Sequence, residues 1–203
     1  GHPATGDTLP KYGTASLLAK ANAVSVLPTR NFQDGHFEHG DDVTGEALAE
    51  KYLVRNDGCQ ACPIRCARVV EVNGKEVKGP EYETLGMFGP NFGNRDLGKI
   101  CEWNYLLDKL GMDTISAGST IDFATELTEK GLLKSNLVWG KTDGMEKLFE
   151  DIAYRRGLGD DLAEGSMRMS AKYGGTEYAI HSRMEPSARS RSEEHTSELQ
   201  SPY

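Results

Sequence analysis

The sequence lacks the features that mark nucleic-acid-binding and membrane-spanning proteins. Its 203 residues carry a formal net charge of −8 and contain no basic cluster, and no apolar run approaches the length of a transmembrane helix. We therefore do not expect nucleic acid or a membrane as a partner. No signal peptide opens the chain, which begins with Gly1 rather than Met, so we expect a fragment of a longer protein.

Cysteine is scarce, and its distribution is informative. Three of the four cysteines, Cys59, Cys62 and Cys66, lie in one short segment. This pattern does not suit the disulfide framework of a small secreted domain, so we expect reduced thiols in the cytoplasm. Thiolates are soft ligands, and the two-then-three spacing brings adjacent thiolates toward one metal centre. The segment favours a [4Fe–4S] cluster that lacks one ligand here, with zinc and a chance grouping as the alternatives.

Helical periodicity dominates the rest of the sequence. Thr44 or Asp42 is expected to cap one of the helices. After the cysteine segment, two short β-rich runs flank Asn73-Gly74, which is a strong hairpin signal. We predict a mainly α fold: a multi-helix domain with one small β-hairpin after the cysteine loop. The predicted helices cover about 15–24, 46–53, 97–110, 115–130, 145–156 and 161–172.

The C-terminal residues differ from the rest of the chain. Residues 191–201 read RSEEHTSELQS, which resembles the in-frame translation of a sequencing-library adapter. A native Ser/Glu-rich disordered tail is the alternative. We predict one domain over 1–189 and a non-native tail over 190–203, and we assign no function to His195 in that tail.

Two acidic segments are candidate sites. Glu81 and Glu83 lie two positions apart, and on a helix such positions diverge, so at most one should face a given pocket. From these residues alone, a solvated pair is the favoured interpretation. Asp108 and Asp113 flank a predicted helix end at Gly111. A carboxylate at a helix C-terminus opposes the macrodipole, so we expect Asp108 to bind a donor-rich group unless it is simply solvated.

Taken together, these motifs resemble the tungsten- or molybdenum-dependent aldehyde ferredoxin oxidoreductases. The resemblance runs from about Tyr12 to about Pro186 and rests on the order and spacing of five segments. They are Tyr12-Gly13-Thr14-Ala15, Leu27-Pro28-Thr29-Arg30-Asn31-Phe32, Cys59-Gln60-Ala61-Cys62-Pro63-Ile64-Arg65-Cys66, Gly79-Pro80-Glu81-Tyr82-Glu83-Thr84 and Asp108-Lys109-Leu110-Gly111-Met112-Asp113-Thr114-Ile115-Ser116.

The resemblance implies that this chain is the middle, helical domain of an oxidoreductase. Such an enzyme oxidises an aldehyde to a carboxylic acid at a tungsten or molybdenum bis-pterin and passes electrons through a [4Fe–4S] cluster to ferredoxin. The expected partners are ferredoxin, the aldehyde substrate and the missing N- and C-terminal domains, and a homodimer is left open. The 203-residue chain alone is expected to be inactive.

The resemblance also implies roles for individual residues. Glu83 matches the pocket acid/base, with Glu81 as the competing carboxylate. The residues that match the cluster ligands are Cys59, Cys62 and Cys66. The residues that match the pterin-binding segment are Asp108, Gly111, Met112 and Asp113.

Two positions limit what the resemblance implies. Cys101 lies on an apolar helical stripe, so we interpret it as a small buried hydrophobe rather than the fourth cluster ligand. Tyr105 replaces the histidine of the ExxH pair that starts here at Glu102, so an iron bound between subunits is not expected. The alternative functions are a related tungsten enzyme that reduces an aromatic acyl thioester and a non-catalytic iron–sulfur or zinc module.

Overall fold

The computed structural model describes residues 2–180, and the predicted tail at 190–203 lies outside the described residues. Within this range the fold is mainly α-helical with one small antiparallel sheet, as predicted. None of its helices is both long enough and apolar enough to cross a membrane.

The N-terminal third contains three α-helices that precede the sheet. Thr44 caps the third of them, because its Oγ1 accepts a hydrogen bond from the backbone N–H of Ala47 at 3.1 Å. This helix ends two residues earlier than predicted, since Leu53 already belongs to the first strand. The helices are α1 (Leu9–Tyr12), α2 (Ser16–Ala23) and α3 (Gly45–Lys51), with a π-helical turn at Ala4–Thr8 and a 3-10 turn at Gly40–Val43.

The sheet has three strands rather than the two of the predicted hairpin. Strands β1 (Leu53–Asp57), β2 (Ala67–Val72) and β3 (Lys75–Lys78) pair antiparallel in that order. The hairpin around Asn73-Gly74 is confirmed, with Val72 opposite Lys75. Strand β1 was predicted as a helix end followed by a loop, because only its pairing with the distant β2 makes it a strand. The cysteine loop is the connection from β1 to β2.

Three helices follow the sheet and pack around the candidate site. Asp96 and Asp113 cap α5 and α6 by accepting hydrogen bonds from the backbone N–H groups three residues ahead. The first helix of this group, α4, was not predicted, because its short Gly-containing sequence gives a weak helical pattern. The helices are α4 (Tyr82–Phe88), α5 (Leu97–Lys109) and α6 (Thr114–Glu129), with a 3-10 turn at Pro90–Phe92.

The C-terminal helices differ in their bounds from the prediction. Helix α7 (Met145–Ala153) ends before Arg155, which adopts a left-handed φ of 53°. The single helix predicted over 161–172 is instead two helices, α8 (Leu158–Leu162) and α9 (Gly165–Tyr173). The break falls at Gly165, whose φ of 82° no continuous helix allows.

The core joins α4, α5 and α7 through four buried aromatic side chains. Neighbouring rings of the set meet edge to face with centroids 5.6 to 6.3 Å apart, which is a favourable arrangement of their quadrupoles. Helix α6 packs against α4 at Gly118, where an added Cβ would lie 2.7 Å from the Cβ of Met87. The core therefore fixes the ends of α4, α5 and α6 relative to one another. The four aromatic residues are Phe88, Phe92, Trp103 and Phe149.

Candidate cofactor-binding site

The cysteine loop lies at the surface of the described chain. Cys59 is exposed, Cys62 and Cys66 are partly exposed, and none of the three is in a disulfide. The loop contains a turn in which the N–H of Cys62 donates to the carbonyl of Cys59 at 3.1 Å. Within residues 2–180, no group of three or more His, Cys, Asp or Glu side chains is arranged to hold a metal ion. The sequence thus places three soft donors on one loop, and their role as ligands stays a prediction.

The backbone of this loop is tightly folded. Ala61 and Arg65 adopt left-handed φ values of 61° and 51°, which non-glycine residues rarely do. The two sides of the loop approach closely, since an added Cβ at Gly58 would lie 2.8 Å from the Cα of Arg65. A loop with this geometry needs support from neighbouring groups.

A buried arginine supplies that support. The guanidinium of Arg68 donates from Nη1 to the carbonyls of Arg65 and Ala67, at 3.1 and 3.0 Å. These two hydrogen bonds hold the backbone on both sides of Cys66. The same nitrogen donates to Asn56 Oδ1 at the end of β1 at 3.0 Å, and Nη2 donates to the carbonyl of Leu9 at 2.5 Å. Arg68 is only 3% exposed, and its Nε has no hydrogen-bond partner.

A cleft of about 290 Å³ lies near the sheet, between the start of α4 and the junction of α5 and α6. Its lining is strongly acidic, with four carboxylates against the single cation of Lys78. Such a lining offers hydrogen-bond acceptors and attracts ligands rich in N–H groups. The lining residues are Lys78, Gly79, Glu81, Glu83, Thr84, Asn104, Asp108, Met112, Asp113, Thr114 and Ile115.

Both carboxylates of the Gly79–Thr84 segment line this cleft, so the prediction that at most one faces a pocket was wrong. The reason is that Glu81 precedes α4 with extended backbone, so helical spacing does not apply between it and Glu83. Glu81 is paired with Lys78, whose Nζ lies 3.6 Å from Oε1. For Glu83, no ion pair or hydrogen bond is seen to any group in the described chain, so its carboxylate remains available to a ligand.

The segment after α5 contributes the opposite wall of the cleft. Gly111 has a φ of 70° and ends α5 in a Schellman motif, in which the N–H groups of Gly111 and Met112 donate to the carbonyls of Asp108 and Leu107. This turn directs the chain from α5 into α6. Asp108 and Met112 reach the cleft, whereas Gly111 does not line it.

Asp113 combines a structural contact with its position in the cleft. Its Oδ2 accepts a hydrogen bond from the N–H of Ser116 at 2.7 Å, which caps α6. Across the cleft floor, the hydroxyls of Thr84 and Thr114 lie 2.7 Å apart and join α4 to α6. The start of α4 is fixed in turn because the N–H of Tyr82 donates to Thr14 Oγ1 at 3.0 Å.

The cleft and the cysteine loop adjoin the same end of the sheet. Strand β2 begins just after Cys66, and the antiparallel β3 ends just before Gly79, which lines the cleft. The N–H of Gly79 donates to the carbonyl of Arg68 at 2.8 Å, and an added Cβ at Gly13 would lie 2.6 Å from the carbonyl oxygen of Cys66. The backbone of Cys66 and the Gly79 wall of the cleft therefore lie at one end of the sheet, while Gly111 shapes the turn on the opposite wall.

Three residues outside the cleft bear on the sequence analysis: Cys101, Glu102 and Arg68. Cys101 is fully buried, and burial raises the pKa of its thiol to about 12, which fits a hydrophobe and not a ligand. Glu102 accepts hydrogen bonds from Lys99 at 2.9 Å and from Asn73 at 3.1 Å, so its carboxylate is engaged within the chain. Sequence reasoning missed Arg68, although a charged residue in the apolar run of β2 was a usable signal.

Comparison with known proteins agrees with this architecture. The family model described as aldehyde ferredoxin oxidoreductase, domains 2 and 3, matches residues 1–194. The chain belongs to the aldehyde ferredoxin oxidoreductase family, whose members are oxidoreductases.

The similar curated proteins include tungsten-containing enzymes of Thermococcus and Pyrococcus species. Tungsten-containing aldehyde ferredoxin oxidoreductases of Thermococcus kodakarensis and Pyrococcus furiosus are 46% and 45% identical to the chain over 186 residues, which is 88% of this chain and 31% of each relative. An aliphatic sulfonate oxidoreductase, WOR-like subunit, of Pyrococcus furiosus is 29% identical over 191 residues. The chain therefore spans less than a third of the length of these relatives.

A solved structure shares the fold. The active-site complex BamBC of benzoyl coenzyme A reductase, in complex with 1,5-dienoyl-CoA, superposes with a TM-score of 0.63 at 21% identity and covers 83% of this chain and 27% of that chain. At this identity the likeness concerns the fold alone.

Proposed function

We propose that the full-length protein carrying this segment oxidises an aldehyde to a carboxylic acid at a tungsten or molybdenum bis-pterin and transfers the electrons through a [4Fe–4S] cluster to ferredoxin. The observation that carries the proposal is the acidic cleft beside the cysteine loop, in a chain 46% identical to a tungsten-containing enzyme. When bound, the metal and its pterins supply the oxygen-atom chemistry and accept the electrons. The reducing cytoplasm suits the free thiols.

The wall after α5 is proposed to bind a pterin. Pterins present amino and ring N–H groups, and Asp108 offers a carboxylate for which no bond is seen within the described chain. One carboxylate oxygen of Asp113 accepts a hydrogen bond from the N–H of Ser116, and the second oxygen is proposed to accept one from the cofactor. Gly111 sets the turn that aims both carboxylates, and Met112 supplies an apolar contact. Charge-assisted hydrogen bonds of this kind are strong and directional.

Glu83 is proposed to hold or move a proton at the substrate. Of the two glutamates in the cleft, Glu81 has Lys78 as its counter-ion, whereas Glu83 has none among the described residues. Glu83 lies in the first turn of α4, and a hydrogen bond from Tyr82 to Thr14 fixes the start of that helix. The backbone that carries the carboxylate is therefore held in place. A carboxylate that is positioned but not paired suits general acid–base work.

Cys59, Cys62 and Cys66 are proposed to provide three cluster ligands, with the fourth from a part of the protein outside this chain. The donor set fits, since three free thiols share one loop and a buried arginine holds the backbone on both sides of Cys66. The exposure of this loop suits a surface that another domain covers. A carrier or zinc module without catalysis needs no acidic cleft, so the cleft favours the enzyme.

The test is aldehyde-dependent reduction of ferredoxin by the full-length protein, with Glu83→Gln compared with Glu81→Gln. Glu83→Gln should keep the metals and lower turnover by about two to four orders of magnitude, the usual scale of acid–base catalysis, while Glu81→Gln should lower it far less. A large loss only in Glu81→Gln would show that the wrong carboxylate was assigned. Activity with an aromatic acyl thioester or an aliphatic sulfonate, and none with aldehydes, would reassign the substrate.

A further inference from the structure

The charge of Arg68 is unusual for a residue so deeply buried. No carboxylate lies within ion-pair distance of its guanidinium in the part of the chain that the structure describes, and its four hydrogen bonds all go to neutral oxygens. Burying a cation without a counter-charge is costly, because the charge loses its hydration and gains no opposite charge in exchange. The observation calls for an anion nearby that balances this charge.

The geometry places the candidate anion at the cysteine loop. The guanidinium contacts the carbonyls of Arg65 and Ala67, the two neighbours of Cys66, so its charge lies against the backbone on both sides of that cysteine. The orphaned Nε–H also lies next to Gly13, which itself touches the carbonyl of Cys66. Cysteine ligates metal as the thiolate, so the loop becomes anionic when it binds a cluster.

We propose that Arg68 is the buried counter-charge of the cysteine loop, which positions Cys66 and raises the reduction potential of the cluster. This inference rests on the proposed cluster function. One-electron reduction makes the cluster more negative by one charge without making or breaking a bond. A fixed cation in a poorly solvated site stabilises the more negative state, and local charge is one of the factors that set cluster potentials.

Three variants of the full-length protein test this inference. Arg68→Met removes the charge but keeps an extended stem, and Arg68→Lys keeps the charge but loses the planar fork. Arg65→Met is the matched control, because Arg65 is adjacent to Cys66 yet exposed, with its charge close to Asp57 at 3.9 Å. The measurements are iron content and the cluster midpoint potential, from anaerobic titration with dithionite followed by EPR.

Arg68→Met should shift the midpoint potential to more negative values, Arg68→Lys should restore most of that shift, and Arg65→Met should change it least. If Arg68→Met assembles no cluster, recovery of iron in Arg68→Lys supports the counter-charge role. An unchanged potential in Arg68→Met, or equal defects in Arg68→Met and Arg68→Lys, overturns the inference. A wild-type protein without cluster iron would instead overturn the proposed function, so the two failures are distinguishable.

Discussion

Asp113 allows the structural and the cofactor-binding roles of one carboxylate to be separated. Its Oδ2 caps α6 through Ser116, and the same side chain lines the acidic cleft. Asp113→Ala removes the cap, which is worth about 1 kcal/mol, together with the attraction of a carboxylate to the helix N-terminus, worth about 0.3 to 1 kcal/mol. Asp113→Asn keeps a capping oxygen and loses only the second of these contributions.

The stability assay is urea or thermal unfolding of the 203-residue chain. For a domain of this size, 1 kcal/mol corresponds to about 2 to 4 °C in melting temperature, so Asp113→Ala should melt several degrees lower and Asp113→Asn about a quarter to a half as far. Asp96 provides the matched control, since it caps α5 through Lys99 at 3.0 Å and lies outside the cleft lining. Asp96→Ala and Asp96→Asn should give the same pair of stability changes.

The functional assay is tungsten or molybdenum content of the full-length protein. Asp113→Asn should lose a large part of this metal although its fold is nearly intact, and Asp96→Asn should lose none. Equal stability of Asp113→Ala and Asp113→Asn would refute the capping role. Full metal occupancy in Asp113→Asn would refute the pterin contact and leave Asp113 as a helix cap only.

Two further predictions concern the interior of the domain. Burial raises the pKa of Asp122 well above that of an ordinary aspartate, although a hydrogen bond from Asn91 opposes the shift. The folded state therefore holds a proton on this carboxyl that the unfolded state releases above about pH 4. Asp122→Asn should therefore gain stability over the wild type as pH rises, by at most about 1.4 kcal/mol per pH unit, and a pH-independent difference in urea unfolding would contradict this. Gly118→Ala should destabilise the chain by about 1 to 3 kcal/mol, because the new Cβ would lie 2.7 Å from the Cβ of Met87. An unchanged melting temperature would contradict this and show that α4 and α6 can separate without cost.

Features set by local chemistry were predictable from the sequence. Thr44 is a favourable capping residue ahead of an apolar helical pattern, and Asn73-Gly74 favours the turn of the β2–β3 hairpin, so both were confirmed. Strand β1 was missed because it depends on pairing with a strand across the cysteine loop. The break between α8 and α9 was missed because Gly165 inside a polar helical pattern is a weak signal until its φ is known.

The candidate site was predictable as a set of residues but not as an arrangement. The acidic segments at Glu83 and Asp108 were recognised separately, and only the packing of α4 against α5 and α6 brings them to one cleft. Helical spacing does not apply between Glu81 and Glu83, because α4 begins one residue after Glu81. The environment of Arg68 depends on contacts with Leu9 and Asn56, which no local pattern reveals.

Metal analysis of the full-length protein, purified without oxygen, is the most direct test of the proposed cofactors. We expect tungsten or molybdenum together with iron and acid-labile sulfide, and we expect Cys62→Ser to lose cluster iron because a serine oxygen is a harder and poorer ligand than a thiolate. Zinc as the only bound metal, or unchanged iron and visible absorbance in Cys62→Ser, would contradict this proposal.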